Sequence, residues 1–281
     1  MRIRCEAYAK LNLSLRVLSR REDGFHEIHS LVQTIDLFDR IEVDDKEREG
    51  RIVVENDRVP EGEDIMERAA DVLLRTKGVC RGVRIRVEKT IPLGAGLGGG
   101  SSDAAAVLRA IDALIPPSLP PSALLGVAAE VGSDVPLFLA GGLIHVRGRG
   151  ERLEKAPAKR NECYVVLVPP IQCSTAAVYR RWCPNQPTVA GKSGEAKPGE
   201  NDLLRPALEL YPELIPFRAG VERLHARYWG MSGSGASFFA AYPSREEADQ
   251  AGSRLRTEFA NAHVFVCSPT DVGHRVMEED A

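Results

Sequence analysis

The sequence predicts an α+β fold in two domains, residues 1–155 and 156–281. Three observations carry this. Apolar and polar residues alternate over much of the first ninety positions, the period of half-buried strands. Segments with helical period stand between and after these strands. Beyond residue 160, a second round of strands and helices begins with a continuous apolar run, "CYVVLVPP". A chain of 281 residues can bury a core in each of two such domains.

Taken in order, "IRCEAYAKLNLSLRVL" and "LVQTIDLFDRIEV" read as strands, and the charged "DDKEREG" after them as a turn. Residues 64–77 carry helical period, with Ile65, Ala69, Val72 and Leu73 on one face. "GVRIRVEKTI" is a further strand, closed by Pro92. A glycine-rich loop and a helix over about 101–114 follow, and "PPSLPP" ends that helix. Another helix over 122–131 meets "GSDVPLFLAGG". In the second half, "STAAVYRRW" reads as a short helix capped by Ser174 or Thr175. Residues 184–200 are rich in Pro, Gly and Lys and read as a mobile loop. Helices come next, then a strand pair around "SGSGASFFAAY", a helix over 244–258 and a strand at "HVFVCS". The tail "VMEEDA" is expected to fray.

Composition narrows the function. Lys and Arg total 37 against 40 Asp and Glu, for a net charge of −3. Wide nucleic-acid surfaces are usually basic, so none is expected. No apolar run reaches the length of a membrane span, and "MRIRCEAYAK" lacks the apolar stretch of a signal peptide. A cytoplasmic protein without membrane contact is the expectation. The six cysteines form no C-x-x-C pair and read as free thiols.

The informative stretch is "PLGAGLGGGSSDAAA", in which five of the seven residues from Gly94 to Gly100 are glycine. Gly94, Gly96 and Gly99 match G-x-G-x-x-G, but the helix behind them runs into a proline-rich break and a second helix. A dinucleotide fold needs a second parallel strand there. No Lys-Ser or Lys-Thr pair closes a Walker loop, and the H-R-D and D-F-G motifs of protein kinases are absent. Glycine amides running into a helix N-terminus make an anion cradle without a lysine. Ser101, Ser102 and Asp103 stand where caps and first-turn residues are favoured.

This stretch resembles the second motif of the GHMP small-molecule kinases. "AKLNLSLRV" at 9–17 is similar to the first motif and "MSGSGASFFA" at 231–240 to the third, so the resemblance spans nearly the whole chain. It implies an N-terminal domain like domain 2 of ribosomal protein S5 and a ferredoxin-like C-terminal domain. It implies ATP as phosphoryl donor, held by Pro92, Leu93, Gly94, Ala95, Gly96, Leu97, Gly98, Gly99, Gly100, Ser101 and Ser102. Mg²⁺ is expected to bridge the phosphates. Its protein ligands are unknown, with the Ser101 or Ser102 hydroxyl as candidates.

"REDGFHEIHSLVQTIDLFD" and "VGSDVPLFLAGG" resemble family members whose acceptor is a cytidine diphosphate-linked polyol. By that resemblance Asp134 is a general base and Lys10 its cationic partner. Phe25 and Tyr179 flank the cytosine, His26 reads its edge, and Asn12 and Thr175 touch the substrate. The family often has Tyr where this chain has Phe25, which keeps the stacking and loses a hydroxyl. Bland readings stand beside these. Asp134 also suits the cap of "VPLFLA", Lys10 suits a snorkelling strand residue, and Phe25 and Tyr179 suit ordinary core packing. Another GHMP kinase, or a nucleotide sensor that does not turn over, fits the same motifs. A monomer or weak dimer is expected.

Overall fold

The computed structural model describes residues 1–56, 64–157, 162–183 and 196–280. Two long strands, β1 (Arg2–Arg20) and β2 (His26–Asp44), form an antiparallel hairpin. The "REDGF" turn closes it: Arg21 N donates to Phe25 O at 2.8 Å, and Gly24 has φ 85°. Strands β3 (Ile52–Glu55) and β4 (Val83–Glu88), with helix α1 (Ile65–Lys77) between them, extend the sheet on one side. Asp64 caps α1 by accepting from Met66 N, and Gly78 ends it in the left-handed conformation.

Helices α2 (Gly99–Leu114), α3 (Pro121–Val131) and α4 (Val135–Ala140) follow, then strands β5 (Leu143–Gly148) and β6 (Arg152–Lys155). Helices α1 to α4 and the inner residues of the first sheet build one apolar core around Met66, Leu73, Val107, Ile111 and Phe138.

The second half holds β7 (Cys163–Val168), α5 (Thr175–Arg181), α6 (Leu204–Leu210) and α7 (Ile215–Glu222). It continues with β8 (Tyr228–Met231), β9 (Phe238–Tyr242), α8 (Arg245–Glu258) and β10 (His263–Cys267). The sheet order β10-β7-β9-β8, all antiparallel, is the ferredoxin-like order implied by the motifs. A further apolar cluster lies between the two sheets. It joins Leu11 and Leu13 of β1 to Tyr164, Val166 and Phe239 of the second sheet.

Two local expectations change, and one pair of alternatives is decided. The tail does not fray at Val276: β11 (His274–Asp280) pairs with the start of β1 and returns the chain to the first sheet. Its pairing is non-local, and its charged sequence carries no strand period. Helix α2 begins at Gly99 rather than Ser101. Its cap is Gly98, left-handed at φ 72° and without a side-chain hydrogen bond, so Ser101, Ser102 and Asp103 are already helical. Ser174, not Thr175, caps α5. Of the loop expected over 184–200, residues 184–195 lie outside the described residues. All six cysteines are free thiols. Among the described residues no helix is long and apolar enough to cross a membrane.

Candidate active site

A cleft of about 670 Å³ opens where the hairpin, the glycine loop, α5 and the β8–β9 turn meet. Its floor is set by the glycine loop. Gly94, Gly96 and Gly98 all have positive φ, at 65°, 74° and 72°. The residues between them, Ala95 and Leu97, are buried in the inter-sheet core. The loop is therefore anchored at every second residue, and Ala95 and Leu97 can offer a ligand only their backbone. Gly98 leaves the first amides of α2 without a side-chain cap, which keeps them available to an anion.

The third motif is locked against this loop. Ser232 Oγ donates to Gly96 O at 2.8 Å, and Ser237 N donates to Ala95 O at 3.2 Å. A Cβ on Gly96 would overlap the Ser232 carbonyl oxygen and sit 2.9 Å from that of Gly235. Gly96→Ala is expected to cost roughly 2–5 kcal/mol, from the left-handed backbone and the overlap together. Urea unfolding measures it, and nucleotide affinity should fall with it.

Lys10 projects from β1 under the glycine loop. A Cβ on Gly98 would stand 3.1 Å from its Cγ, so only glycine lets the two approach. Lys10 Nζ donates to Asn12 Oδ1 at 2.5 Å and to Gly96 O at 2.7 Å. Its third N–H has no partner among the described residues. The ammonium is buried rather than snorkelling, and this burial lowers its pKa, with the charge of Asp134 opposing the shift. Asn12 Nδ2 donates to Ser30 Oγ at 2.8 Å, which fixes the amide so that its oxygen faces Lys10.

Asp134 precedes α4 but makes no capping hydrogen bond with its side chain. The carboxylate is exposed in the cleft together with Ser133. Lys10 and Asp134 line the same cleft without forming a direct ion pair; Asp134 acts on Lys10 through its field.

Aromatic side chains line the same cleft. Phe25 is half exposed at the hairpin turn, so it is not core. The His26 ring lies 5.1 Å from that of Tyr179, tilted by 38°, and meets Trp182 edge-on at 5.7 Å. Burial lowers the His26 pKa, and Arg20 adds to the shift, so the ring is held neutral with one donor and one acceptor nitrogen. Burial and the Asp134 charge push the Tyr179 phenol well up. Thr175 Oγ1 lies 2.9 Å from Ser234 Oγ and joins α5 to the third motif.

The cleft thus brings together Lys10, Asn12, Phe25, His26, Thr175 and Tyr179 with Asp134, Gly96 and Gly98. Pro92, Leu93, Gly94, Gly99, Gly100 and Ser101 flank it along the loop without lining it. The Ser102 hydroxyl is fully buried and donates to Tyr8 O at 2.7 Å, which turns it away from any bound phosphate. Asp103 is buried against Lys89. Sequence reasoning missed Ser30, Trp182 and Asn201, whose Nδ2 braces the third motif through Met231 O and Gly233 O. It also missed Arg20, Arg149 and Arg180, which line the cleft. The glycines around Arg149 in "RGRGE" were the available signal.

Residues 64–142 match the model of the GHMP kinases N terminal domain, and residues 194–261 that of the GHMP kinases C terminal. A 4-diphosphocytidyl-2-C-methyl-D-erythritol kinase of Pelotomaculum thermopropionicum is 37% identical, covering 89% of this chain and 92% of its own. One of Thermus thermophilus is 41% identical, covering 89% and 91%. The crystal structure of a 4-(cytidine 5'-diphospho)-2C-methyl-D-erythritol kinase superposes with a TM-score of 0.79 at 37% identity, over 94% of this chain and 98% of that one. A homoserine kinase from Cytophaga hutchinsonii, 22% identical, shares the fold at a TM-score of 0.76, over 98% and 97% of the two chains.

Proposed function

Because the chain belongs to the GHMP kinase family, we propose that it transfers the γ-phosphoryl group of ATP to the 2-hydroxyl of 4-diphosphocytidyl-2-C-methyl-D-erythritol. This is a step of the non-mevalonate route to isoprenoid precursors. The observation that carries the reading is the make-up of one cleft. Phe25, His26 and Tyr179 line it together with Lys10, Asp134 and the glycine loop.

Phosphoryl transfer asks mainly for position and charge compensation. The glycine loop and the bare first turn of α2 hold the ATP phosphates through backbone N–H groups. Asp134 accepts the proton of the acceptor hydroxyl as its oxygen forms the new bond to phosphorus and the bond to the β-phosphate oxygen breaks. Lys10, with one N–H to spare, faces the charge that builds on the transferred group. Asn12 and Gly96 O fix its direction. Mg²⁺, when bound with ATP, neutralises phosphate charge. No trio of His, Cys, Asp or Glu among the described residues forms a cage for it. This suits an ion held chiefly by the phosphates, with the partly buried Ser101 as the candidate protein hydroxyl. Two lobes, 1–155 and 156–281, joined again by β11, and a cytoplasmic monomer or weak dimer complete the reading.

The cytosine lies between the rings of Phe25 and Tyr179, with its edge on His26. Stacking tolerates any base, so hydrogen bonds at the edge must discriminate. His26→Ala should raise KM for the cytidine substrate far more than KM for ATP. Equal effects on both would put His26 outside the base pocket. A His with a depressed pKa stays neutral at every pH above its ordinary value of 6.5. The substrate KM should therefore stay flat through neutral pH and rise only below that value.

The test of the reaction is a coupled assay with ATP and Mg²⁺ and four acceptors: the cytidine compound, mevalonate, homoserine and water. Turnover of the cytidine compound alone supports the proposal. Turnover of mevalonate or homoserine instead favours another GHMP kinase, and no turnover with any acceptor favours a nucleotide sensor.

A further inference from the structure

After β10 the chain crosses back to the first sheet, and the crossing segment is tied to the hairpin along its length. Asp36 N donates to Ser268 O at 3.0 Å, and Ser268 N donates to Asp36 Oδ1 at 2.7 Å. Thr270 N donates to Thr34 O at 2.8 Å, and Gln33 Nε2 donates to Thr270 O at 2.9 Å. Tyr8 N donates to Gly273 O at 3.0 Å. Against this fixed segment lies the end of α4. A Cβ on Gly273 would overlap the Phe138 carbonyl oxygen, and a Cβ on Gly141 would overlap the Gly273 nitrogen. The two backbones touch with no side chain between them, which only glycine on both sides allows. His274 completes the contact, with Nδ1 at 3.0 Å from Phe138 O. A carbonyl oxygen only accepts, so Nδ1 carries the proton and donates it. Burial lowers the His274 pKa, and the bond to Phe138 O opposes the shift.

Helix α4 carries the reacting group at its other end. Asp134 directly precedes its first residue and stands about 6 Å along the axis from Phe138. The Phe138 ring is fully buried, and a Cβ on Gly98 would fall 2.6 Å from its Cζ and 3.1 Å from Lys10 Cγ. Phe138 therefore meets the glycine loop and the Lys10 stem with its ring, and His274 with its carbonyl. A helix of 6 residues is too short to hold itself. Its place is set by what it packs on, which is α2 and α3 as well as the crossing segment. His274 itself does not line the cleft.

We propose that His274 is a positioning residue for the reaction: its hydrogen bond to Phe138 O, with the contact of Gly141 on Gly273, sets α4 at the depth from which Asp134 reaches the acceptor hydroxyl. This rests on the reading of Asp134 as the base. The end of the chain thus serves the chemical step from outside the cleft and touches neither substrate.

The experiment measures kcat and both KM values for H274A, H274N and H274Q, each alone and combined with D134N, well below the unfolding temperature of every variant. Asn places an amide N–H where Nδ1 stands, and Gln places it one bond further out. H274A should lose about ten- to hundredfold in kcat, with KM for ATP and for the cytidine substrate moving less than about twofold. H274N should stay within about threefold of wild-type kcat, and H274Q should fall with H274A. In the D134N background, H274A should cost less than about twofold more, because the group it positions is already disabled. Wild-type kcat in H274A overturns the proposal, as does an H274N that loses as much as H274A. So does an equal loss in both backgrounds, which would give His274 a structural part only. If H274A does not fold, H274N and H274Q decide, and equal kcat values for these two overturn the proposal. A D134N variant that keeps wild-type kcat overturns the reading of Asp134 as the base, whatever the His274 variants do.

Discussion

Asp134→Asn is expected to lower kcat by about 10²–10⁴-fold, the usual contribution of a positioned base, with KM for ATP nearly unchanged. The carboxylate caps no helix and makes no ion pair among the described residues, so its removal breaks no such bond. A Cβ on Gly150 would come within 3.5 Å of Asp134 Oδ1, so the β5–β6 turn packs closely beside the carboxylate. Asn keeps this shape and the polar surface but cannot take the proton. Single-turnover kinetics separate the chemical step from binding. An unchanged chemical step would reduce Asp134 to a surface residue. Loss of thermal stability in the variant would point instead to a structural part.

Lys89→Ala is expected to have the largest effect on stability. Lys89 Nζ lies 2.5 Å from both Asp39 Oδ2 and Asp103 Oδ2, and all three side chains are buried. Asp39 Oδ1 also accepts from Thr90 N and Ile91 N, which fixes the chain as it enters the glycine loop. Burial alone would lower the lysine pKa, but the two carboxylates outweigh it and raise it. Burial, with the like charge of Asp39, drives the Asp103 pKa well up against the pull of Lys89. Removing Lys89 leaves two carboxyl groups facing each other in the core. A broken buried ion pair costs about 3–5 kcal/mol, which urea unfolding would read directly. KM for ATP should rise as well, because a Cβ on Gly99 would come within 3.4 Å of Lys89 Nζ and the glycine loop rests on this cluster. Asp103→Asn should cost less, since Asn keeps the shape, Asp39 still pairs with Lys89, and the Asp103 Oδ1 has no hydrogen-bond partner among the described residues.

Much of the site was legible because its signals are local. Glycines at alternate positions, a helix directly behind them and the DGFHE turn are each written in consecutive residues. The alternation of "AKLNLSL" placed Lys10 and Asn12 on one strand face, and the structure joins them by a hydrogen bond. What was not legible depends on distant parts of the chain. The strand β11 exists through its pairing with β1. The β5–β6 hairpin is short, and its charged residues hide its period. Asp103 reads as a first-turn acid, and only the packing of β1 and β2 against α2 turns it onto Lys89, which directly follows β4. Trp182 has no signal in sequence; the fold brings it to His26 from more than 150 positions away. The start of α2 was misplaced because a glycine cap leaves no side-chain signature.

The central claim is that one cleft presents the acceptor hydroxyl to Asp134 while its base lies between Phe25 and Tyr179. A crystal structure with a non-hydrolysable ATP analogue, Mg²⁺ and 4-diphosphocytidyl-2-C-methyl-D-erythritol tests it most directly. The account predicts the 2-hydroxyl within about 2.6–3.2 Å of an Asp134 oxygen, Lys10 Nζ turned to the γ-phosphate and the cytosine between the two rings. A 2-hydroxyl outside the reach of Asp134, or a cytosine bound away from Phe25 and Tyr179, would contradict it.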